Sequence, residues 1–355
     1  MGTKVRSQAA AMLVPLTLLG ACVSTPADWD TVARRTPAPV VVARGETAAV
    51  ATIAADAADD PAIWRNAAAP AASLIVGTDK KAGLHVYDLQ GAERAFLDAG
   101  LVNNVDLTET MIAGSPGILV VASDRSDPLA AHLALFRLDP ARATLHRLAR
   151  LAAGPGEAYG LCLAALSDGV DAFLVLKDGT IRQFTVDLGG AAPALRLRRT
   201  LRLATQSEGC AVDPINARLY VAEENVGLWR FDARPDGSAT PVRIAAVDGR
   251  RLVADVEGVA VALDERGQGH LIVSSQGDNA YAVFALPDER FVGRFRIGAG
   301  RYGATSETDG IDVRLGDFGP DYPDGLFVAQ DGDNAPNAQN FKLVDWRSIR
   351  ATLEP

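Results

Sequence analysis

Acidic and amide side chains recur in six short segments of the chain, at intervals of roughly fifty residues. The segments are Asp59-Asp60-Pro61, Asn103-Asn104-Val105-Asp106, Glu157-Ala158-Tyr159-Gly160, Ser207-Glu208-Gly209, Asp255-Val256-Glu257-Gly258 and Thr308-Asp309-Gly310-Ile311-Asp312. Carboxylates that crowd together repel one another unless cations or protons compensate them. Oxygen ligands without a Cys or His cluster select a hard cation, and this mixture favours calcium over magnesium. If the fold brings the segments together, they predict a site that binds several calcium ions.

A second series of polar residues follows the first by about 16 to 22 residues and ends an apolar run each time. Its basic members come from the first half of the chain: Lys80, Lys81, Arg125 and Lys177. Its acidic and amide members come from the second half: Glu223, Glu224, Gln276 and Asp331. Lys and Arg opposite a calcium site suit a phosphate group, which needs donors and positive charge on several oxygens.

A simpler interpretation exists for each single residue in these series. A lone Asp commonly closes a turn, and Lys81 fits a solvated surface charge equally well. The site prediction therefore depends on Glu208, Asp255 and Glu257 taken together.

The apolar runs themselves predict the fold, because they recur six times with a period of about 44 to 55 residues. Second strands such as Leu84-His85-Val86-Tyr87 alternate in polarity with period two. Gly, Pro, Asp and Asn turns separate the strands, whereas an α/β fold would need long helices there. The period is that of a four-stranded blade, so we predict an all-β, six-bladed β-propeller. Equivalent positions of successive blades then surround one axis.

Composition and missing motifs exclude several classes of function. The chain has 355 residues, of which 48% are hydrophobic and 22% charged, with a net charge of -9, so it can form a core but does not attract nucleic acid. None of its four histidines lies in an Arg-His-Gly setting, and it lacks a cysteine-phosphatase loop, a Gly-x-Ser-x-Gly elbow and a Gly-rich phosphate loop. The mechanism that these exclusions leave is attack by a water molecule assisted by a metal ion.

The N-terminal region is typical of an exported lipoprotein. Lys4 and Arg6 precede an apolar stretch that ends in Leu19-Gly20-Ala21-Cys22, where Cys22 would be acylated. An ordinary signal peptide with a chance cysteine is the alternative. We predict a signal peptide at 1–21, a flexible tether at 22–42 and a propeller domain at 43–355. The protein is expected to be a monomer, secreted and lipid-anchored at the cell envelope of a bacterium, at its outer membrane.

The two other cysteines, Cys162 and Cys210, stand within apolar strand-like runs. We expect buried free thiols there, and a disulfide between them remains open because the predicted compartment is oxidising.

Several long segments of the chain resemble the β-propeller phytases, also called alkaline phytases. The similar segments are residues 56–64, 78–84, 103–107, 159–160, 207–209, 220–224, 255–258, 274–277, 308–312 and 325–332. They follow in the family's order and cover roughly residues 46 to 346. The resemblance implies calcium-dependent hydrolysis of phytate, myo-inositol hexakisphosphate, to lower inositol phosphates and inorganic phosphate. It implies a 3-phytase type of phosphomonoesterase, with calcium phytate as the substrate form and a calcium-bridged water as the attacking group.

Roles for individual residues also come from this resemblance. The implied metal ligands are Asp59, Asp60, Val105, Tyr159, Glu208, Glu224, Asp255, Glu257, Gln276 and Asp331. Six of them form the implied catalytic set: Asp59, Tyr159, Glu208, Glu224, Asp255 and Glu257. The residues implied to bind phosphate are Lys80, Arg125, Tyr159, Lys177 and Asp309.

The chain departs from the family's pattern at two places. Thr108 stands where the second signature usually has Arg, so local bracing is expected to differ. Tyr302-Gly303-Ala304 stands where the family tends to carry an acidic residue, which puts a structural calcium site in doubt.

Two other functions fit a calcium-binding propeller. A propeller lactonase usually holds one axial metal and needs no cationic half, and a docking platform binds a partner without turnover. Phosphate release with and without calcium separates these alternatives from a phytase.

Overall fold

The computed structural model describes residues 1–2, 36–53, 56–166 and 169–353. The predicted signal peptide, Cys22 and most of the predicted tether lie outside these residues. Within them the chain forms twenty-five β-strands, two short 3-10 turns at Pro70–Ala72 and Gln276–Asp278, and the helix α1 (Trp346–Leu353). No helix in this described part is long and apolar enough to cross a membrane.

The strands form six sheets that follow one another along the chain. The first two strands of the chain, β1 (Val40–Val42) and β2 (Gly45–Glu46), join sheets formed mainly by later strands. Blade 1 holds β3 (Ala58–Trp64), β4 (Leu74–Asp79), β5 (Gly83–Asp88) and β6 (Glu93–Asp98); blade 2 holds β7 (Val102–Ile112), β8 (Ser115–Asp124), β9 (Ala130–Asp139) and β10 (Thr144–Pro155). Blade 3 holds β11 (Ala158–Leu166), β12 (Gly169–Leu176), β13 (Thr180–Asp187) and β14 (Ala194–Arg202); blade 4 holds β15 (Ser207–Asp213), β16 (Arg218–Glu223), β17 (Gly227–Asp232) and β18 (Val242–Ala246). Blade 5 holds β19 (Val256–Leu263), β20 (Gly269–Ser275), β21 (Ala280–Leu286) and β22 (Arg290–Gly298); blade 6 holds β23 (Ile311–Leu315), β24 (Gly325–Asp331) and β25 (Asn340–Asp345).

The first strand of each blade lies innermost and contacts the first strands of both neighbouring blades, so the sheets close a ring. The N-terminal strand β2 completes blade 6 by pairing antiparallel with β25, with Glu46 opposite Lys342. The last blade is therefore built from both ends of the chain. The predicted six-bladed β-propeller is confirmed.

The N-terminal boundary of the propeller differs from the expected one. Val40–Val42 pairs in parallel with β22 and adds a fifth strand to blade 5, and Thr36 Oγ1 donates a hydrogen bond of 2.6 Å to Asp278 Oδ2. Residues 36 to 42 thus belong to the folded body, although we placed them in the tether. The physical reason is that three consecutive β-branched valines pair readily with the open edge of β22.

Each pair of neighbouring blades encloses one apolar layer, and together these six layers form the core. Strand β12 shows how the sequence supplies two layers at once. Leu174 and Leu176 pack towards blade 2, whereas Phe173 and Val175 pack towards blade 4, because successive side chains of a strand point to opposite faces. Strands that face a layer on both sides, such as β12, are therefore almost continuously apolar.

Cys162 and Cys210 form a disulfide bond across the layer between blades 3 and 4, with their Cα atoms 5.7 Å apart. The expectation of free thiols was wrong. The two cysteines occupy adjacent inner strands, β11 and β15, and face the same layer, which brings the sulfur atoms together.

A glycine follows the polar site residue in the inner segments of blades 3 to 6 and packs on the backbone of the next blade. A Cβ atom at Gly258 would lie 2.5 Å from the carbonyl oxygen of Asp309, and one at Gly310 would lie 2.5 Å from that of Asp59. Gly160 and Gly209 approach their neighbours more closely still. The inner strands can touch because these positions carry no side chain.

Replacing Gly209 by Ala is therefore expected to destabilise the ring. The added Cβ would overlap the carbonyl oxygen of Glu257 and force β15 and β19 apart, at a cost of about 1–3 kcal/mol in the free energy of unfolding. Urea denaturation measures this change. Gly189→Ala is the matched control, because its nearest neighbour is the side chain of Asp187 at 3.7 Å, and its effect should stay within about 0.5 kcal/mol. Equal losses in the two variants would contradict the close-packing argument.

Candidate active site

One end of the propeller collects both polar series found in the sequence. In blades 1 to 5 the start of the inner strand pairs with the end of the second strand, as Ser207 pairs with Glu223 in blade 4. The same pairing joins Ala58 to Asp79, Val102 to Asp124, Ala158 to Leu176 and Val256 to Ser275. The predicted convergence of the two series therefore follows from the register of the sheets.

A β-bulge lies at this end of the inner strand in each of these five blades. The register shifts between Ala58 and Pro61, Val102 and Val105, Ala158 and Leu161, Ser207 and Cys210, and Val256 and Val259. Each shift places two inner-strand residues opposite one of the partner strand, and Asp59, Asn103, Tyr159, Glu208 and Glu257 lie inside the shifted stretches. A bulge bends the strand and re-aims its side chains, which explains how these groups reach the axis.

Glu208, Glu224 and Glu257, here called the acidic cluster, meet at the axis. One carboxylate oxygen from each lies within 4.8 Å of the others, and each residue is 5% exposed. Glu224 Oε1 and Glu257 Oε2 are buried without a hydrogen-bond partner, as is Asp59 Oδ2 nearby. The acidic cluster thus offers unpaired oxygens to an ion.

The electrostatics of the acidic cluster also favour a cation. Burial and the neighbouring charges of Asp59 and Asp309 raise the pKa of Glu208 well above its usual range. Burial and the charge of Glu208 do the same to the pKa of Glu257, and burial raises the pKa of Glu224. Burial raises the pKa of Asp309 to about 8, against the opposing charge of Lys80. Carboxylates in this state bind protons unless a cation compensates them, and an all-oxygen donor set fits a hard cation.

Tyr159 connects the acidic cluster with two cations. Its hydroxyl accepts a hydrogen bond of 3.4 Å from Gln206 Nε2, while Lys177 Nζ lies 5.2 Å and Arg125 Cζ 5.9 Å from its ring centroid. Both distances are within the range of cation–π attraction. Burial, together with the charges of Glu208 and other carboxylates, raises the pKa of the hydroxyl, so Tyr159 stays a neutral donor.

Lys80 is nearly buried and surrounded by acids. Its Nζ lies 2.9 Å from oxygens of Asp59, Asp309 and Asp56. Burial opposes the charge of Lys80, but the three carboxylates outweigh that effect and raise its pKa. Gln276 Nε2 donates a hydrogen bond of 2.7 Å to Asp309, so this predicted residue also belongs to the same group.

Asn103 links Arg125 to Glu208 of the acidic cluster through two hydrogen bonds. Its Oδ1 accepts a hydrogen bond of 2.5 Å from Arg125, and its Nδ2 donates one of 2.6 Å to Glu208 Oε1. The sequence placed Asn103 in the first polar series without a role of its own, and Gln206 and Asp56 were not selected. Their position was the available signal, because Gln206 closely precedes Glu208 and Asp56 closely precedes Asp59.

Asp255 lies at the edge of the acidic cluster, half-buried, and its charge helps to raise the pKa of both Glu224 and Glu257. The structure thus brings together most of the residues named from the sequence: Asp59, Lys80, Arg125, Tyr159, Lys177, Glu208, Glu224, Asp255, Glu257, Gln276 and Asp309.

Three residues named as metal ligands lie outside this group. Asp60 Oδ2 accepts a hydrogen bond of 3.1 Å from the backbone N–H of Val105, and both residues line a separate axial cavity of about 70 Å³. They connect blade 1 with blade 2. Asp331 Oδ2 lies 3.1 Å from Lys342 Nζ and forms part of a different cluster in blade 6.

Lys342 is 0% exposed, and its ammonium occupies the centre of this second cluster. Its Nζ lies 2.6 Å from Glu46 Oε2 and 3.1 Å from Asp331 Oδ2, and it donates to Asn340 Oδ1 at 2.9 Å and to Asn334 Oδ1 at 3.1 Å. Gly303 stands beside it, since a Cβ there would lie 3.6 Å from Nζ. A lysine ammonium therefore compensates the carboxylates at the place where the sequence put a structural calcium in doubt.

Space for a sizeable polar ligand adjoins the site. A cavity of about 590 Å³ is bordered by Asp56, Gln276, Glu307 and Asp309, together with residues of the loop 332–339. A larger cavity of about 1030 Å³, lined by residues such as Met111 and His146, lies in blade 2 and contains none of the site residues.

The fold and the site define a β-propeller protein whose axial end combines a buried acidic cluster with Lys and Arg side chains. The family model named Phytase matches residues 3–355 of the chain. The chain is also similar to the 3-phytase of Bacillus subtilis (strain 168), with 36% identity over 328 residues, 88% of this chain and 85% of that protein. The chain therefore belongs to the phytase family and is an enzyme of that family, which confirms the resemblance seen in its motifs.

Lys342→Met is expected to destabilise the protein strongly even where no calcium is present. Removing the ammonium leaves Glu46 and Asp331 without compensation, and the loss of one partner of a buried ion pair costs about 3–5 kcal/mol. Urea denaturation in EGTA measures the loss. Added calcium should restore part of it, because four oxygens remain around the vacated position.

The control for this change is Lys81→Met, which alters an exposed lysine. Its effect should stay within about 0.5 kcal/mol. A similar loss in both variants would show that Lys342 does not act as an internal cation.

Proposed function

We propose that the protein hydrolyses phytate to lower inositol phosphates and inorganic phosphate, with calcium ions held by the acidic cluster. The observation that carries the proposal is the set of three buried glutamates with unpaired oxygens beside Lys80, Arg125 and Lys177. Membership of the phytase family and similarity to a protein named 3-phytase support the substrate.

Glu208, Glu224 and Glu257 would hold the calcium ions, with Asp59, Asp255 and Gln276 and the hydroxyl of Tyr159 around them. When bound, calcium neutralises charge on phosphoryl oxygens and lowers the pKa of a coordinated water. The oxygen-only donor set and the raised pKa values of the glutamates support this assignment.

The cationic side chains divide into two kinds. Lys177 and Arg125 are partly exposed and lie against the Tyr159 ring, so they can contact phosphate groups of a bound substrate directly. Lys80 already forms ion pairs with three carboxylates, so we propose that it contributes positive charge to the site more than direct contacts with the substrate. Tyr159, a neutral hydroxyl donor, can orient a phosphoryl oxygen.

The proposed reaction is direct hydrolysis without a covalent enzyme intermediate. Cys162 and Cys210 are joined to each other, so neither offers a thiolate nucleophile. In the proposed reaction water is the attacking group, and the residues of this chain bind the substrate, orient it and neutralise its charge.

Phosphate release from phytate tests the proposal. We expect release in calcium and little in EGTA, and we expect Glu257→Gln to lower kcat/KM by on the order of 100-fold, because it removes a charge that holds the cation. Lys177→Ala should mainly raise KM. Glu265→Gln, an exposed change, serves as the control and should leave the rate unaltered.

Release that persists unchanged in EGTA or in the Glu257→Gln variant would refute the calcium mechanism. Hydrolysis of lactones without phosphate release would favour a lactonase, and phytate binding without turnover would favour a docking platform.

We further propose that the protein is exported and anchored through a lipid on Cys22. The disulfide between Cys162 and Cys210 supports an oxidising location. In bacterial cells fed labelled palmitate, Cys22→Ala should lose the label and shift activity from the membrane fraction to the soluble exported fraction. An unchanged distribution would contradict the anchor.

A further inference from the structure

The disulfide lies directly beneath the candidate active site. Cys162 follows Tyr159 by three positions in β11, and Cys210 follows Glu208 by two positions in β15. Both cysteines are buried, at 2% and 7% exposure. Within the described residues it is the one covalent link between two blades.

The candidate site depends on the spacing of its blades, because its groups come from different blades. Tyr159 belongs to blade 3, Glu208 and Glu224 to blade 4, and Glu257 to blade 5. The distance between Tyr159 and Glu208 is therefore determined by how firmly β11 and β15 are held together. Inner strands of neighbouring blades share no sheet, so ladder hydrogen bonds do not join them.

Other blade interfaces resist separation through hydrogen bonds next to the axis. Each of them joins a backbone N–H of one blade to an acceptor of the next, with lengths between 2.7 and 3.1 Å. The bonds run from Val105 to Asp60, from Leu163 to Asp106, from Val256 to Glu224, from Gly258 to Asp309 and from Ile63 to Asp312.

The interface between blades 3 and 4 lacks a bond of this backbone type, although the side chains of Gln183 and Gln206 form hydrogen bonds across it. Among the described residues, no backbone N–H of β11 or β15 donates to the other strand. The Cys162–Cys210 disulfide instead joins β11 and β15 at this interface, where Gly160 packs against the carbonyl group of Glu208.

We propose that the Cys162–Cys210 disulfide is a positioning clamp that holds Tyr159 and Glu208 at the spacing the cation requires. It pre-organises the acidic cluster before the ion arrives, and its loss weakens cation binding more than it weakens the fold. The choice of calcium as the cation rests on the proposed function, whereas the clamp is tested by binding alone.

The experiment measures calcium affinity by titration calorimetry and terbium affinity by luminescence, on the full chain freed of metal with EGTA. We expect Cys162→Ala/Cys210→Ala to raise the calcium Kd by about tenfold or more, the range seen when groups that support metal ligands are removed. At saturating calcium its kcat on phytate should return to within about twofold of the parent value, because the same ligands are then in place.

Leu138→Ala is the matched control. Leu138 is 1% exposed in the layer between blades 1 and 2, so its truncation lowers thermal stability without touching the blade 3–4 interface. Its calcium Kd should equal that of the parent. If the double alanine variant does not fold, Cys162→Val/Cys210→Ala refills the layer and carries the same expectation.

An unchanged Kd in a folded cysteine variant, with only a lower Tm, would overturn the clamp and leave a purely stabilising disulfide. A parent protein that binds neither calcium nor terbium would overturn the clamp and the proposed function together. A parent protein that binds calcium but releases no phosphate would overturn the proposed function alone, and a raised Kd in the variant would still support the clamp.

Discussion

Mutual repulsion of buried carboxylates is the constraint on which this structure depends. Glu208, Glu224 and Glu257 place oxygens within 4.8 Å of one another in a buried setting, where unpaired charges are strongly unfavourable. A propeller can bring them together because six equivalent strands surround one axis. The same geometry places repelling charges on both sides of the interface between blades 4 and 5, where they act to open the ring. The glycines on the inner segments, the interblade hydrogen bonds and the closing strand β2 all act against that opening.

The chain compensates buried acids in two different ways. Lys80 and Lys342 are ammonium groups built into the fold, each placed among carboxylate oxygens at hydrogen-bonding distance. Such cations are always present, so the acids around them form a permanent framework. The acidic cluster has no ammonium among its own three members, and two of its oxygens are left unpaired. An exchangeable cation is therefore demanded at the one point where the proposed chemistry takes place.

The sequence predicts the ring and most of the site because both depend on repetition. A period of about fifty residues determines the number of blades, and a residue type repeated in phase must approach the axis. Asp59, Glu208 and Glu257 were found in this way. Asp60 lies apart from the acidic cluster because a β-bulge turns adjacent residues of one strand in different directions, and its carboxylate accepts a hydrogen bond from Val105. Its role as a metal ligand stays a prediction. Bulges depend on pairing between strands, which a single strand's sequence does not display.

The burial of Lys342 is a second feature that the sequence pattern of its own strand does not predict. Phe341-Lys342-Leu343 alternates like any half-exposed strand, so the pattern indicates a lysine in solvent. The structure buries it, because β2 arrives from the other end of the chain and covers that face with Glu46. The charge that Asp331 meets is therefore decided by ring closure, a contact between residues almost three hundred positions apart. Residues of the acidic cluster depend on no partner so distant: in the described part of the chain, the hydrogen bond from Asn103 to Glu208 spans only 105 positions. For that reason the residue roles suggested by family resemblance are supported best at the axis and least in blade 6, where both ends of this chain meet.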